Sequence, residues 1–413
     1  MHILQLTDLY APVIGGLERH VATLSAELQR LGHTVTVVTL RPRELPAEEV
    51  IDGVRVIRIR SLAQRIPGVH ASAAHPFHPT APDPAAVVAL RRIVADERPD
   101  VVHSHSWLQY SYFPLYHPKK GPAHVVTMHD YGLACPRKTM QPSVRSAQCT
   151  GPGLGKCLTC APVQYGAVKG AAAAGLHFGS RFLNHRADRY IAVSAAVARQ
   201  SAQVLPAGRE IAVLPTMIPD GSYDLAAATP RPEFLPAQDG YLIFIGALGP
   251  HKGVDVLLEA HRRMRHRLPL VLLGTPRLDS PPLGQPDVVA VRNVPHAQAM
   301  AALQRSCIAV VPSVWHEPMG RVAVEGMLVG RPVVASSVGG LTDIIQEGVT
   351  GLLVPPGDAG ALARALDALL DNPELRARMG HAGKLRARRF EASAITPRII
   401  EVFEGALRDR SST

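Results

Sequence analysis

No apolar run in this 413-residue chain approaches the roughly 20 residues needed to span a bilayer as a helix. A transmembrane helix is therefore not expected. The chain enters an apolar strand pattern at once, from His2 to Thr7, without a basic leader or a cleavage site. That pattern argues against a secretory signal and for the cytoplasm. A full G-x-G-x-x-G after the first strand is missing, which counts against a dinucleotide-dependent dehydrogenase. No nucleic-acid recognition motif accompanies the basic residues. No obvious catalytic nucleophile stands out. Cysteine is scarce, with five in all, and four of these fall between positions 135 and 160.

An apolar fraction of 46% with 19% charged residues is that of a soluble globular protein, and the length suits two domains. The net charge of +10 is placed unevenly. Residues 1–215 carry 23 Lys plus Arg against 14 Asp plus Glu, whereas residues 216–413 carry 21 against 20. A basic first half suits an anionic acceptor or an anionic membrane face. A solvated surface on an Arg-rich protein would look the same.

Apolar strand runs alternate with helical stretches. Ile3–Thr7 leads to a helix from about Gly16 to Leu31, then to strand Thr34–Thr39; Val101–Ser104, His124–Met128 and Arg189–Val193 follow. Alternation restarts at Tyr241–Ile245 and runs through Leu270–Gly274, Val288–Val291 and Ile308–Pro312. The pattern predicts two doubly wound parallel-sheet α/β domains, with a cleft at the carboxyl ends of both sheets. Domain one spans 1–214, a proline-rich linker 215–240, and domain two 241–392, followed by a last helix within 393–413. Residues 61–85 and 135–165 read as mobile loops.

The most specific stretch is Pro312–Ser336, PSVWHEPMGRVAVEGMLVGRPVVAS. It reads as strand, loop, short helix, stop and strand, with Pro318 in a first helical turn and Gly330-x-Pro332 as the stop. Gly320 allows close approach of a ligand to the backbone. The helix N-terminus offers N–H groups to an anion, and Glu317 and Glu325 offer carboxylates to hydroxyls. A sugar nucleotide needs both. This segment resembles the E-x7-E signature of retaining glycosyltransferase family 4 (glycosyl transferases group 1), which has the two-domain, Rossmann-like GT-B fold. The resemblance implies that Glu317 contacts donor-sugar hydroxyls and Glu325 holds the nucleotide ribose. Taken alone, two glutamates eight positions apart read as surface residues.

The resemblance extends along nearly the whole chain. A glycine pair follows the first strand in the family, here Gly15-Gly16, which places Gly16 beside the donor. Where the family shows G-R-L-x-x-x-K-G, this chain has GALGPHKG. Lys252 matches the diphosphate-clamping lysine, but Ala247 stands where the arginine belongs, removing a bidentate cation. Arg321, at the helix mouth, is the candidate replacement. His129, at the end of HVVTM, takes the place of the family's histidine near the donor's reactive carbon. His105 reads as acceptor-side lining and His103 as packing. GT-B enzymes use no catalytic metal, no DxD motif is present, and front-face substitution needs no nucleophile.

Cys135, Cys149, Cys157 and Cys160 form a C-x13-C-x7-C-x2-C pattern. In a cytosolic loop this reads as a structural zinc site or as four free thiols, and some family members share it. Cys307 reads as core. The expected activity is transfer of a sugar from a nucleoside diphosphate sugar to an acceptor hydroxyl on a sugar, lipid-linked intermediate or small molecule, with peripheral contact to the inner membrane face. The rivals are a sugar-nucleotide 2-epimerase of the same fold and a non-catalytic nucleotide-binding scaffold, the latter suggested by Ala247. A phosphorylase is disfavoured by the lack of a cofactor-lysine motif.

Overall fold

The computed structural model describes residues 1–13, 15–66, 76–142, 148–237 and 240–411. The chain divides into two compact units. The first comprises Met1–Met140, Cys149–Met217 and Ile395–Thr413; the second comprises Gln141–Gln148 and Ile218–Ala394.

The first unit is built on eight strands: β1 (His2–Leu6), β2 (Thr34–Leu40), β3 (Glu48–Ile51), β4 (Val54–Ile59), β5 (Val101–Ser104), β6 (Ala123–Met128), β7 (Arg189–Ala192) and β8 (Ile211–Val213). Their order is β3-β4-β2-β1-β5-β6-β7-β8, and every pairing is parallel except β3 with β4. Ile3 lies between Val35 and Val101 in register. Strands such as HILQL and AHVVTM are almost wholly buried, as expected where helices cover both faces of a parallel sheet. Helix Gly16–Arg30 buries Val21, Leu24 and Leu28, a 3.6-residue stripe.

The second unit has six strands: β9 (Leu242–Ile245), β10 (Leu270–Leu273), β11 (Val288–Val291), β12 (Ile308–Val311), β13 (Val333–Ser336) and β14 (Gly351–Val354). All are parallel, in the order β11-β10-β9-β12-β13-β14. Chain direction across the sheet reverses between β9 and β12, and in the first sheet between β1 and β5. In open α/β sheets, ligands bind outside the strand carboxyl ends at such switch points.

The structure corrects several sequence expectations. Residues 218–237, read as linker, belong to the second unit and contain helix Ser222–Ala228. Residues 135–165, read as a mobile loop, contain helix Leu154–Tyr165; residues 143–147 lie outside the described residues. In 61–85, of which 67–75 are likewise outside, Ala63 N donates to Asp83 Oδ2 at 3.1 Å and buried His78 meets Ser111 Oγ at 2.7 Å. That part of the segment is pinned. The last helix, Ala392–Ser411, places Phe403 in the first unit's core, 5.0 Å from the His103 ring. Its Arg410 Nε donates to Asp188 Oδ2 at 3.0 Å.

Candidate functional site

In the second unit, β9 runs into Gly246–Gly249, a turn at Pro250–Lys252 and helix Val254–Arg263. Gly253 joins turn to helix at φ 72°, and a Cβ there would sit 1.9 Å from the Pro312 carbonyl oxygen. Only glycine lets the two post-strand loops close on each other. The closure is held by Val314 N and Trp315 N, which donate to the His251 carbonyl at 3.1 and 3.2 Å.

Glu317 sits where these loops meet, and it is buried. Its Oε2 accepts from Lys252 Nζ at 2.7 Å, Ser313 Oγ at 3.0 Å and Trp315 Nε1 at 3.0 Å. Burial pushes its pKa upward, but the Lys252 charge and these hydrogen bonds outweigh burial and hold it below the usual carboxylate value. Glu317 is thus an anchored carboxylate, and Lys252 is brought to it from the other loop.

The helix begins at Arg321 rather than at Pro318, with Gly320 as its N-cap at φ 95°. Pro318 lies outside the first helical turn because the chain uses Gly320 to bend into the helix. Adding a Cβ to Gly320 would bring it 2.4 Å from Leu341 Cδ2. The N–H groups of the first turn point out of the helix by geometry. Glu325 is buried, and its Oε1 accepts from Arg321 Nε at 3.0 Å and meets His296 Nε2 at 3.2 Å. Burial raises the Glu325 pKa, while the His296 hydrogen bond and the Arg321 charge bring it below the ordinary value. Among the described residues Arg321 Nη1 is buried without a hydrogen-bond partner. A buried guanidinium N–H in that state is costly and suits an anionic ligand.

In the first unit the switch point gathers histidines. Asp8, just after β1, accepts at Oδ1 from Ser106 Oγ and Leu108 N, both at 2.8 Å, fixing the loop after β5. His105 Nε2 meets Gln5 Oε1 at 2.6 Å and its Nδ1 meets His129 Nε2 at 2.9 Å. Because an amide oxygen only accepts, His105 Nε2 carries the proton and Nδ1 accepts. His129 therefore donates through Nε2, leaving Nδ1 as a lone pair. That Nδ1 is buried and has no partner among the described residues. Burial lowers the His129 pKa to about 3 and those of His105 and His103 well below the usual value, so all three rings are neutral near pH 7. His103 bonds Thr127 Oγ1 at 2.7 Å. Gly16 opens its helix, and a Cβ there would meet nothing within 4 Å.

His20, one turn into the same helix, completes the group, its ring centroid 4.7 Å from that of His129. Ligand nitrogens of His20, His105 and His129 lie within 4.8 Å of one another, and these three are the one such cluster among the described residues. Met217 N donates to His20 Nδ1 at 3.4 Å, so a neutral His20 carries its proton on Nε2.

Of the four cysteines read as a zinc site or as free thiols, none is in a disulfide, and among the described residues no three come within common ligand reach. Cys157 packs with Ala161 and Ala174, Cys160 Sγ accepts from Arg137 Nη1 at 3.1 Å, and Cys149 Sγ donates to the Gly151 carbonyl at 3.3 Å. Burial pushes the Cys135 thiol pKa upward. The sequence reading missed Gln5, Ser313, Trp315 and His296, which hold the site residues; none carries a motif of its own.

Comparison with known proteins agrees with this geometry. The glycosyl transferases group 1 profile matches residues 227–386, and the glycosyl transferase 4-like domain profile matches residues 15–216. Glycogen synthase of Mycobacterium tuberculosis is 29% identical over 94% of this chain and 90% of its own length. D-inositol 3-phosphate glycosyltransferase of Kineococcus radiotolerans is 29% identical over 96% and 92%. Among solved structures, sucrose-phosphate synthase from Thermosynechococcus elongatus superposes with a TM-score of 0.75 at 21% identity, covering 99% of both chains. HepE of Anabaena in complex with UDP and glucose gives 0.66 at 18% identity, over 97% and 99%. Both profiles fall on the sheets whose switch points carry the clustered polar residues, and the chain belongs to the glycosyl transferases group 1 family, a glycosyltransferase of GT-B fold.

Proposed function

We propose that the protein transfers a sugar from a nucleoside diphosphate sugar to an acceptor hydroxyl, with retention of configuration and without a catalytic metal. The observation that carries this reading is the second unit's pairing of two anchored carboxylates with cations. Glu317 lies against Lys252 and Glu325 against Arg321, whose Nη1 is left unpartnered among the described residues. The carboxylates suit hydroxyls of the sugar and the ribose. Lys252, Arg321 and the helix N-terminus suit the diphosphate, whose charge grows as it leaves. Relatives and neighbours support the donor class: HepE is solved with UDP and glucose and with UDP-glucose.

In the proposed step the bond from the anomeric carbon to the diphosphate oxygen breaks. A bond to the acceptor oxygen forms on the same face. The acceptor proton passes to the leaving phosphate. His129, neutral and with an Nδ1 lone pair, would accept a hydrogen bond from a sugar hydroxyl rather than act as an acid. The basic first half suits an anionic acceptor, and one relative is named for inositol 3-phosphate.

Thermal shifts with UDP-, GDP- and dTDP-sugars test donor binding, since a ligand that binds the folded state raises its stability by mass action. Turnover with the responding donor, read by NMR, should give a glycoside of unchanged anomeric configuration. A free epimerised sugar nucleotide in the presence of acceptor would identify an epimerase. No response to any sugar nucleotide would overturn the proposal.

A further inference from the structure

Between Asp130 and Asp188 the chain contains no acidic residue, yet it contains Arg137, Lys138, Arg145, Lys156, Lys169, Arg181 and Arg186. Within this span, helices Leu154–Tyr165 and Ala167–Gly179 form an antiparallel hairpin in the first unit. Its buried side is made mostly of small side chains, with Cys157, Ala161 and Ala174 as the apolar cluster, Tyr165 packed against it and His177 buried beside it. Gly170 lies so close to the other helix that a Cβ would sit 2.3 Å from Pro162 N. The large apolar side chains face outward. Val163 is 74% exposed, Val168 83% and, just after the hairpin, Phe182 66%, with Leu154, Leu158 and Leu176 also exposed. On the second helix the outer positions are Ala167, Val168, Ala171, Ala172, Gly175 and Leu176, with Lys169 the one charged side chain.

A soluble hairpin normally reverses this arrangement, with its large apolar residues inside. Scattered exposed apolar residues are ordinary, but several on one hairpin mark an interaction surface. We infer that this hairpin docks on an anionic lipid bilayer, its outer apolar side chains entering the headgroup boundary and its lysines meeting lipid phosphates. Charge complementarity selects the occupant. Lys138 is held by Asp130 at 3.8 Å, but Lys156 and Lys169 are exposed on the hairpin and, among the described residues, pair with no acidic side chain. Such bases beside apolar side chains are the pattern of an interfacial helix. A second copy would bring the same positive charge against itself. Among the described residues no helix is long and apolar enough to cross a membrane, so the contact inferred is with the surface. The inference stands apart from the transfer chemistry and would survive its failure.

Flotation of the purified full chain with lipid vesicles tests it. Binding is expected to vesicles holding about one-third phosphatidylglycerol and not to pure phosphatidylcholine, and salt should release it. The triple variant Val163→Ser, Val168→Ser, Phe182→Ser should bind roughly tenfold or more weakly. The separate Lys156→Glu, Lys169→Glu variant should lose binding likewise, which keeps the test decisive if the first variant misfolds by circular dichroism. A wild-type chain that ignores anionic vesicles, or folded variants that bind as it does, would overturn the inference. So would a wild-type oligomer that falls to monomer in the triple variant, since the face would then meet a second copy.

Discussion

His124 is the second residue of β6, with Nδ1 2.8 Å from the Arg186 carbonyl and Nε2 2.9 Å from Ser104 Oγ. Tyr112, Phe113 and Tyr116 surround its ring. Burial lowers its pKa to about 3, against a small upward pull from the Arg186 carbonyl. The unfolded chain titrates near 6.5. Between those two values the unfolded state holds a proton that the folded state refuses. His124 therefore contributes stability that is fully present above about pH 6.5 and is lost as pH falls toward 3. At pH 5, about 1.5 units below the unfolded pKa, the loss is about 2 kcal/mol, at 1.36 kcal/mol per unit. His103, His105 and His129 act in the same direction, and about 2 kcal/mol is already a substantial part of a typical stability of about 5–15 kcal/mol. Urea unfolding can isolate the first unit in a Trp315→Phe background, where Trp107 is the remaining tryptophan. Stability should fall clearly between pH 7.5 and 5. Adding His124→Gln should shrink that fall by about 2 kcal/mol, whatever it does to stability at pH 7.5. An equal fall with and without His124 would refute the reasoning.

Glu325→Ala should weaken nucleoside diphosphate binding by about 1.5–3 kcal/mol, read by calorimetry; unchanged affinity would remove Glu325 from the ribose. Arg321→Ala should lower kcat as well as raise KM, and adding Ala247→Arg should recover part of the loss, because both act on leaving-group charge. Wild-type kinetics in Arg321→Ala would show that Lys252 and the helix mouth suffice. Elemental analysis should find well under one zinc per chain, with thiols titrating before the fold is denatured. Stoichiometric zinc and protected thiols would show that the four cysteines close around a metal.

The parallel strands were legible because their burial on both faces demands unbroken apolar runs such as LIFI and IAVV. The antiparallel pair β3–β4 was not. Glu48 and Glu49 face an Arg-bearing strand at the sheet edge, so the segment reads as surface. The glutamate pair was legible from the glycines and prolines around it, which set where chain and helix change direction. Its supports were not: Ser313 and Trp315 are ordinary loop residues until the chain folds back on Glu317, and His296 reaches Glu325 from a helix 29 positions away. Gln5 shows the same limit. On β1 it interrupts an apolar run, and its role comes from His105, 100 positions away. The hairpin at 154–179 was missed because Gly and Pro interrupt it and small residues such as Ala and Cys blur its apolar periodicity, and its large apolar side chains face outward.

The placement of Phe403 bears on how the chain is made. Residues 218–394 are nearly all of the second unit and run continuously, whereas the first unit needs Ile395–Thr413 to fill its core. At about 5–20 residues per second, a ribosome would spend on the order of 10–40 s between releasing Met217 and releasing the helix that carries Phe403 and Arg410. Throughout that interval the His103 side of the nascent first unit would lack its cover. The half of the protein that begins first would thus finish last. Until then its sheet would present an apolar surface suited to capture by a chaperone.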